Sequence, residues 1–204
     1  MTRLQLEHII RAAGSITDEK VILVLGSQSI LGSSENASEK LLLSIEADVF
    51  PLKAPEKMEL INGSIGEITQ FHKTFGYYAH GIPPESCPLP QGWEKRLISI
   101  KNENTNGITG LCLGAEDLAC SKLAAGRPKD IDFVTEMLAS GAAKTNGLWK
   151  LVADLPQAEH RLAAQRSLQI VEHRIRFAEI ALSKEPRPRE KNLGQEKDRD
   201  ELSL

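Results

Sequence analysis

The amino-acid sequence predicts an α/β or α+β protein in which helices flank a mixed sheet and a helical part follows. Two observations support this fold class. Short apolar segments typical of strands occur between residues 21 and 113, and the first of them alternate with segments of helical periodicity. After residue 114 the periodicity is helical. The predicted order is helix, strand, helix, strand, helix, three strands and then helices.

The first predicted elements lead to a Gly-Ser turn. Residues 2–13 carry apolar side chains at helical spacing and stop at Gly14, and Val21 to Leu25 form a short apolar run. Gly26-Ser27 ends that run, and a short helix is predicted to begin at Ser27. A second strand is predicted over 41–50, closed by Pro51.

The middle of the chain predicts one helix and three strands. Residues 55–65 have helical character, and the sequence FGYYAHGI (75–82) predicts the third strand. Residues 83–92 are rich in proline, which cannot supply regular ladder donors, so we expect a loop. The segments 94–101 and 108–113 are predicted as two further strands.

The remaining chain predicts three capped or amphipathic helices. Residues 114–126 have an acidic start and a terminal glycine, and 127–141 carry a proline in the first turn. A long amphipathic helix is predicted over 157–183. Its apolar stripe consists of Leu162, Leu168, Val171, Ile175, Ala178 and Leu182.

The length and composition indicate one core with an appended helical segment. The chain has 204 residues, 41% hydrophobic and 26% charged, with a net charge of -3, which is close to an average soluble protein. We expect one α/β domain over 1–145, a helical segment packed on it over 146–183, and a disordered charged tail over 184–204.

Composition also excludes several classes of protein. No apolar run approaches the about 20 residues of a spanning helix, so we expect a cytoplasmic protein with no membrane partner. The three cysteines have no metal-type spacing, which argues against both a disulfide framework and a zinc site. The balanced charge gives no sign of a general nucleic-acid surface.

The Gly-Ser turn matches neither common phosphate-binding loop. A dinucleotide fold requires G-x-G-x-x-G after the first strand, and Gly32 is the next glycine after Gly26. A P-loop requires a second glycine followed by lysine, and Leu31 stands at that glycine's position. The turn still offers backbone N–H groups and a positive dipole end to an anion.

Two carboxylates on the second predicted strand form the strongest chemical signal. Glu46 and Asp48 are two residues apart, so their side chains lie on the same face of a strand. Adjacent negative charges that are partly buried repel each other, and a cation commonly offsets the cost. Mg²⁺ suits the pair because it takes carboxylate and phosphate oxygens together. The alternative is an edge strand whose polar face is simply solvated.

In this order and at this spacing, Gly26-Ser27 followed by Glu46 and Asp48 resembles the nucleotidyltransferase superfamily that contains DNA polymerase β. Its signature is Gly-Ser or Gly-Gly, an intervening helix, and Asp-x-Asp or Asp-x-Glu on a strand. The resemblance implies that Gly26 and Ser27 bind the nucleotide, that Ser27 and the N–H groups after Gly26 hold the β- and γ-phosphates, and that Glu46 and Asp48 bind the metal.

The stretch AEDLACSKLAAGRPKDIDFV (115–134) is similar to later motifs of toxin-type nucleotidyltransferases of the bacterial abortive-infection family. Carried over, Lys122 matches the motif lysine and contacts the triphosphate, whereas Lys129 and Asp130 match the Lys-Asp step. Asp130 would position that lysine or the acceptor, and Asp132 is the nearest match to the last acid. The segment 63–93 also resembles an uncharacterised branch of the superfamily, and the whole resemblance spans about residues 20–140.

Two departures from the superfamily pattern bear on catalysis. Glu46 stands where the metal pair usually begins with aspartate, and the third predicted strand has no carboxylate to activate the acceptor hydroxyl. His80 lies where that carboxylate is expected, and His72 lies upstream. Either histidine is a possible general base, and the alternative for each is a structural or surface role.

The resemblance implies a Mg²⁺-dependent enzyme that moves a nucleoside monophosphate from an NTP to an acceptor. The acceptor would be a tRNA 3′ end or a protein hydroxyl, and the protein would be the toxin of a toxin–antitoxin pair with a cognate antitoxin as partner. The alternative is a catalytically incomplete binding module of the same fold, an antitoxin-like or regulatory protein whose long helix docks another chain.

Overall fold

A computed structural model of the chain describes residues 1–34 and 37–184, which form one mixed sheet with flanking helices. The strands are β1 (Val21–Leu25), β2 (Glu46–Pro51), β3 (Tyr78–Gly81), β4 (Ile98–Ile100) and β5 (Thr109–Cys112). The helices are α1 (Arg3–Thr17), α2 (Ile30–Ser33), α3 (Met58–Ile65), α4 (Gln70–Phe75), α5 (Ala115–Ala125), α6 (Pro128–Ala139), α7 (Leu148–Ala153) and α8 (Ala158–Lys184). The predicted fold class is confirmed.

The sheet has five strands in the order β3-β2-β1-β5-β4. β1 is antiparallel to β2 and parallel to β5, β2 is parallel to β3, and β4 is antiparallel to β5. β1 is central, and its apolar residues from Ile22 to Leu25 are fully buried. β2 lies between β1 and β3, so the alternative of a solvated edge strand is wrong.

Local signals in the sequence account for the ends of the main helices. Thr2 and Gln5 form a capping box at the start of α1, in which each side chain accepts from the other residue's backbone N–H. α5 is capped at its C-terminus by Gly126, which has a φ of 64° and donates its N–H to the carbonyl of Lys122. These caps fix where the lysine at the end of α5 lies relative to the sheet.

The C-terminal helices share one continuous core with the sheet. α5 packs against α6, α7 and α8, and buried residues from Leu148 to Val171 belong to the same apolar cluster as the strands. The predicted stripe of α8 is partly wrong. Leu168 and Val171 are fully buried, whereas Leu162 is half exposed and Ala178 is exposed, because the buried face of the helix is the one that also carries Ala164.

The structure corrects several predicted boundaries. β2 begins at Glu46 rather than residue 41, since Glu39–Leu41 form a 3-10 turn, and it includes Pro51 as its last residue. The first half of the predicted strand 94–101 is a 3-10 turn, Trp93–Arg96. α4 was not expected from the sequence. Lys184 of the predicted tail is the last residue of α8, and residues 185–204 lie outside the described part of the chain.

None of the helices described within residues 1–34 and 37–184 has the length and apolar character needed to cross a bilayer.

Candidate active site

The register of three neighbouring strands gathers the predicted residues at one end of the sheet. Because β1 and β2 are antiparallel, Leu25 at the end of β1 pairs with Asp48 near the start of β2. Because β2 and β3 are parallel, Asp48 in turn pairs with His80. The Gly26-Ser27 turn therefore lies beside the acidic pair, and His80 lies on its other side.

Glu46, Asp48 and His80 form a compact cluster. Nδ1 of His80 is 3.2 Å from Oε1 of Glu46 and 3.3 Å from Oδ1 of Asp48. One ligand atom from each residue lies within 4.8 Å of the other two, an arrangement that can hold a metal ion. Burial and the neighbouring Glu46 carboxylate together raise the pKa of Asp48, although His80 acts in the opposite direction. A cation would relieve this repulsion.

Tyr78 positions one of these carboxylates and was not identified from the sequence. Its hydroxyl donates a hydrogen bond of 2.9 Å to Oε2 of Glu46, which leaves Oε1 toward His80. Burial and the contact with Glu46 raise the pKa of Tyr78 to about 12, so the hydroxyl keeps its proton. Strand alternation could have found it, since Tyr78 and His80 share a face of the predicted third strand.

Gly26 allows the backbone of the turn to approach the acidic pair. A Cβ atom at this position would lie 1.9 Å from Oδ2 of Asp48. Its φ of 59° and ψ of -164° also fall in a region that is essentially restricted to glycine. The chain then enters a 3-10 turn over Ser27–Ser29, in which Ser29 donates to the carbonyl of Gly26.

A second group of charges comes from the end of α5 and the start of α6. Nζ of Lys122 is 3.3 Å from Oδ1 of Asp130, and Nε of Arg127 is 2.5 Å from Oδ2. Burial alone would raise the pKa of Asp130, but the hydrogen bond from Arg127 and the charge of Lys122 hold it below its usual value. The ionised Asp130, whose side chain is only 2% exposed, therefore anchors Lys122.

The two groups face each other across a cavity of about 460 Å³, here called the site cavity. Its lining includes the acidic pair and His80 together with three cationic side chains, Lys122, Arg127 and Lys129. A second cavity of about 600 Å³, here called the outer cavity, shares lining residues that include Ser27, Ser44, Lys122 and Lys129. The arrangement places positive and negative side chains around one space, as a metal-bound polyphosphate requires.

Two predicted residues lie apart from the cluster. Asp132 faces the outer cavity, is 69% exposed, and pairs with Arg174 at 2.7 Å. The ring of His72 packs on that of Tyr78 with centroids 4.7 Å apart, and its Nδ1 accepts the N–H of Ile68. His72 therefore reaches the acidic pair only through Tyr78, whereas His80 contacts both carboxylates.

The donor set fits a divalent cation. Two carboxylates and an imidazole nitrogen converge within ligand distance of one another, and Asp48 carries a charge that its surroundings disfavour. When bound at such a site, a divalent cation draws charge from the phosphates of a nucleotide and orients them. Glu46, Asp48 and His80 are the described residues that could hold it.

Comparison with known protein families identifies the family of the chain. The model of a protein family matches residues 4–182, and that family is described as a nucleotidyltransferase of unknown function (DUF6036). Searches of curated proteins and of solved structures find no match.

Proposed function

The chain belongs to the nucleotidyltransferase family DUF6036, and from that premise we propose that it transfers a nucleoside monophosphate from an NTP to an acceptor hydroxyl. One observation carries the proposal. The Gly26-Ser27 turn, the acidic pair and Lys122 border the same cavity, although they come from separate parts of the sequence. A turn that offers N–H groups, a metal-binding pair and a cation are the parts that nucleotidyl transfer needs.

We assign the phosphates of the NTP to the positive side of the site cavity. Ser27 and the backbone N–H groups after Gly26 bind the β- and γ-phosphates, and Lys122 contacts them as a point charge. Asp130 is a positioning residue, because it contacts Lys122 at 3.3 Å and is itself buried. Lys129, an exposed cation that lines both cavities, adds to the attraction of the triphosphate.

The reaction is an in-line displacement at the α-phosphorus. The acceptor oxygen forms a bond to the α-phosphorus, the bond from that phosphorus to the bridging oxygen breaks, pyrophosphate leaves, and the proton of the acceptor hydroxyl passes to water. Glu46 and Asp48 are the proposed metal ligands, with Mg²⁺ as the expected cation, which would supply charge neutralisation at the phosphates. Lys122 stabilises the charge that builds on the departing pyrophosphate.

The acceptor and the biological setting are proposed on the basis of sequence resemblance. The stretch around Lys122 and Asp130 resembles toxin-type enzymes, so we propose a tRNA 3′ end or a protein hydroxyl as acceptor. On the same resemblance we propose that the protein is the toxin of a toxin–antitoxin pair and that the antitoxin is its partner.

A labelling assay tests the proposal. The purified full chain is incubated with each α-³²P-labelled NTP, a divalent cation, and either total tRNA or a cell extract. Transfer of label by the wild type and its loss by at least about 100-fold in Glu46→Gln/Asp48→Asn are expected, since the metal ligands are removed. A matched control, Glu56→Gln/Glu159→Gln, removes two carboxylates at exposed positions and should keep full activity.

The second candidate function is a binding module that lacks turnover. It is favoured by one observation: among the described residues, the cluster around Glu46 and Asp48 has a histidine where a third carboxylate is expected. This reading predicts that the protein binds an NTP in calorimetry and transfers no label to either acceptor. Absence of both binding and transfer overturns both functions.

A further inference from the structure

The third member of the acidic cluster is an imidazole. We propose that His80 is a protein ligand of the divalent cation, and that this mixed nitrogen and oxygen set makes the site favour Mn²⁺ over Mg²⁺ more strongly than three carboxylates would. The inference rests on the proposed function, because it concerns the cation of the same site. It reaches beyond that function by naming a ligand and a metal preference.

Geometry places the imidazole nitrogen where a ligand must be. Nδ1 of His80 lies 3.2 Å from Oε1 of Glu46 and 3.3 Å from Oδ1 of Asp48, so it points at the space between the two carboxylates. The backbone fixes this approach, since Asp48 and His80 are register partners in the parallel pair of β2 and β3. No side chain has to leave a core position to close around an ion.

The neighbours of the carboxylates leave the facing atoms available. Tyr78 binds the other oxygen of Glu46, Oε2, and so orients Oε1 toward His80. Gly26 has no side chain to fill the space beside Oδ2 of Asp48. Hydrogen-bond partners of metal ligands commonly fix ligand orientation in this way.

The chemistry of the donor set decides the preference. Mg²⁺ is a hard cation that takes oxygen ligands and keeps near-ideal octahedral geometry, whereas imidazole nitrogen suits first-row transition ions. Replacing a third carboxylate by a neutral imidazole removes one negative charge and one oxygen ligand. The lost charge weakens the binding of both cations, whereas the lost oxygen ligand weakens Mg²⁺ more, because Mn²⁺ accepts an imidazole ligand more readily than Mg²⁺ does, although it binds nitrogen least tightly among the first-row divalent ions.

Electron paramagnetic resonance of bound Mn²⁺ tests the assignment directly. The full chain is titrated with Mn²⁺ alone, and electron spin-echo modulation from a directly bonded nitrogen is recorded. In the wild type we expect a ¹⁴N modulation that changes to the ¹⁵N pattern when the protein carries ¹⁵N-histidine. The signal should disappear in His80→Asp and His80→Asn, and persist in His72→Asn, the matched control that removes the nearby imidazole.

Metal competition supplies a second readout. The ratio of the Mg²⁺ and Mn²⁺ dissociation constants should fall about tenfold in His80→Asp, because the third ligand becomes an oxygen. His80 is 51% exposed, so both replacements are expected to fold, and circular dichroism checks this. His80→Asn adds no charge to the acidic pair and keeps the test decisive where His80→Asp is unstable.

The outcomes separate this inference from the proposed function. Bound Mn²⁺ without histidine modulation, or with modulation that survives in both His80 variants, overturns the role of His80, while label transfer from the NTP would leave the proposed function standing. Absence of Mn²⁺ binding also overturns the inference. If the wild type shows histidine modulation of bound Mn²⁺ but transfers no label from any NTP, the enzymatic function alone is overturned.

Discussion

A Cβ atom on Gly26 would lie 1.9 Å from Oδ2 of Asp48, so the turn after β1 and the carboxylate on β2 are in direct contact. This contact joins the proposed phosphate-binding backbone to the proposed metal pair. Glycine is therefore required at position 26 for two reasons, its backbone angles and the absence of a side chain beside Asp48.

Replacing Gly26 by alanine should therefore harm both stability and the site. We expect Gly26→Ala to lower the free energy of unfolding by about 3 kcal/mol, since the φ and ψ angles are unfavourable for alanine and Asp48 must move. Gly141→Ala is the control, because Gly141 also has a positive φ of 75° but open space around it. Urea denaturation that shows equal losses for the two variants would contradict the close approach.

Removing one hydroxyl should weaken cation binding without unfolding the protein. Tyr78→Phe deletes the hydrogen bond to Glu46 and keeps the ring that packs on His72. The substitution therefore changes only the orientation of the Glu46 carboxylate. We expect Mn²⁺ affinity, measured by calorimetry, to fall about tenfold. Tyr77→Phe is the matched control, because the hydroxyl of Tyr77 bonds His8 instead. A similar loss in both variants would exclude a specific role for Tyr78.

The contact between Asp130 and Lys122 should make the free energy of unfolding depend on pH. The lowered pKa of Asp130 means that its ionised form stabilises the fold at neutral pH, and that this contribution is lost as pH falls below about 3.8 through the folded-state pKa. Asp130→Asn should cost about 2 kcal/mol at pH 7, measured by urea unfolding, and progressively less in acid. The exposed Asp132→Asn should change stability by under about 0.5 kcal/mol. A pH-independent difference would refute this account.

The ionised carboxylate of Asp48 should destabilise the metal-free fold, whereas that of Asp130 stabilises it. Its raised pKa means that the ionised carboxylate is unfavourable in the metal-free fold above that pKa, and that the penalty disappears as pH falls through it. In EDTA at pH 7, Asp48→Asn should be at least as stable as the wild type, with a gain of up to about 1 kcal/mol. The difference in stability between Asp48→Asn and the wild type is measured from the midpoints of their thermal unfolding. Excess Mn²⁺ should stabilise the wild type and leave the variant unchanged.

Much of the chemistry could be predicted from linear spacing. Two carboxylates separated by one residue must share a face of a strand, and a Gly-Ser pair after an apolar run must turn the chain. Both statements concern neighbouring residues, so they need no knowledge of how the strands pair. The same local logic explains why the capped helix that carries Lys122 is close to its predicted limits.

The errors arise where packing overrides local pattern. Residue Leu162 follows the apolar period of the long helix, yet it is half exposed because the face that meets α5 and α6 is the one that carries Leu168 and Val171. Strand alternation places Tyr78 on the same face as His80, but its contact with Glu46 could not be predicted, since the pairing of β2 with β3 is not contained in local spacing. Its hydrogen bond depends on a register that only the assembled sheet defines.

The sequence by itself determined the fold class, the Gly-Ser turn, the spacing of the acidic pair and the motif around Lys122 and Asp130, because each depends on residues close together along the chain. The tertiary structure alone decided that β2 is an inner strand, that His80 rather than His72 contacts both carboxylates, and that Arg127 shares Asp130 with Lys122. Those relationships join residues whose distance is set by strand register and helix packing, which local spacing does not contain.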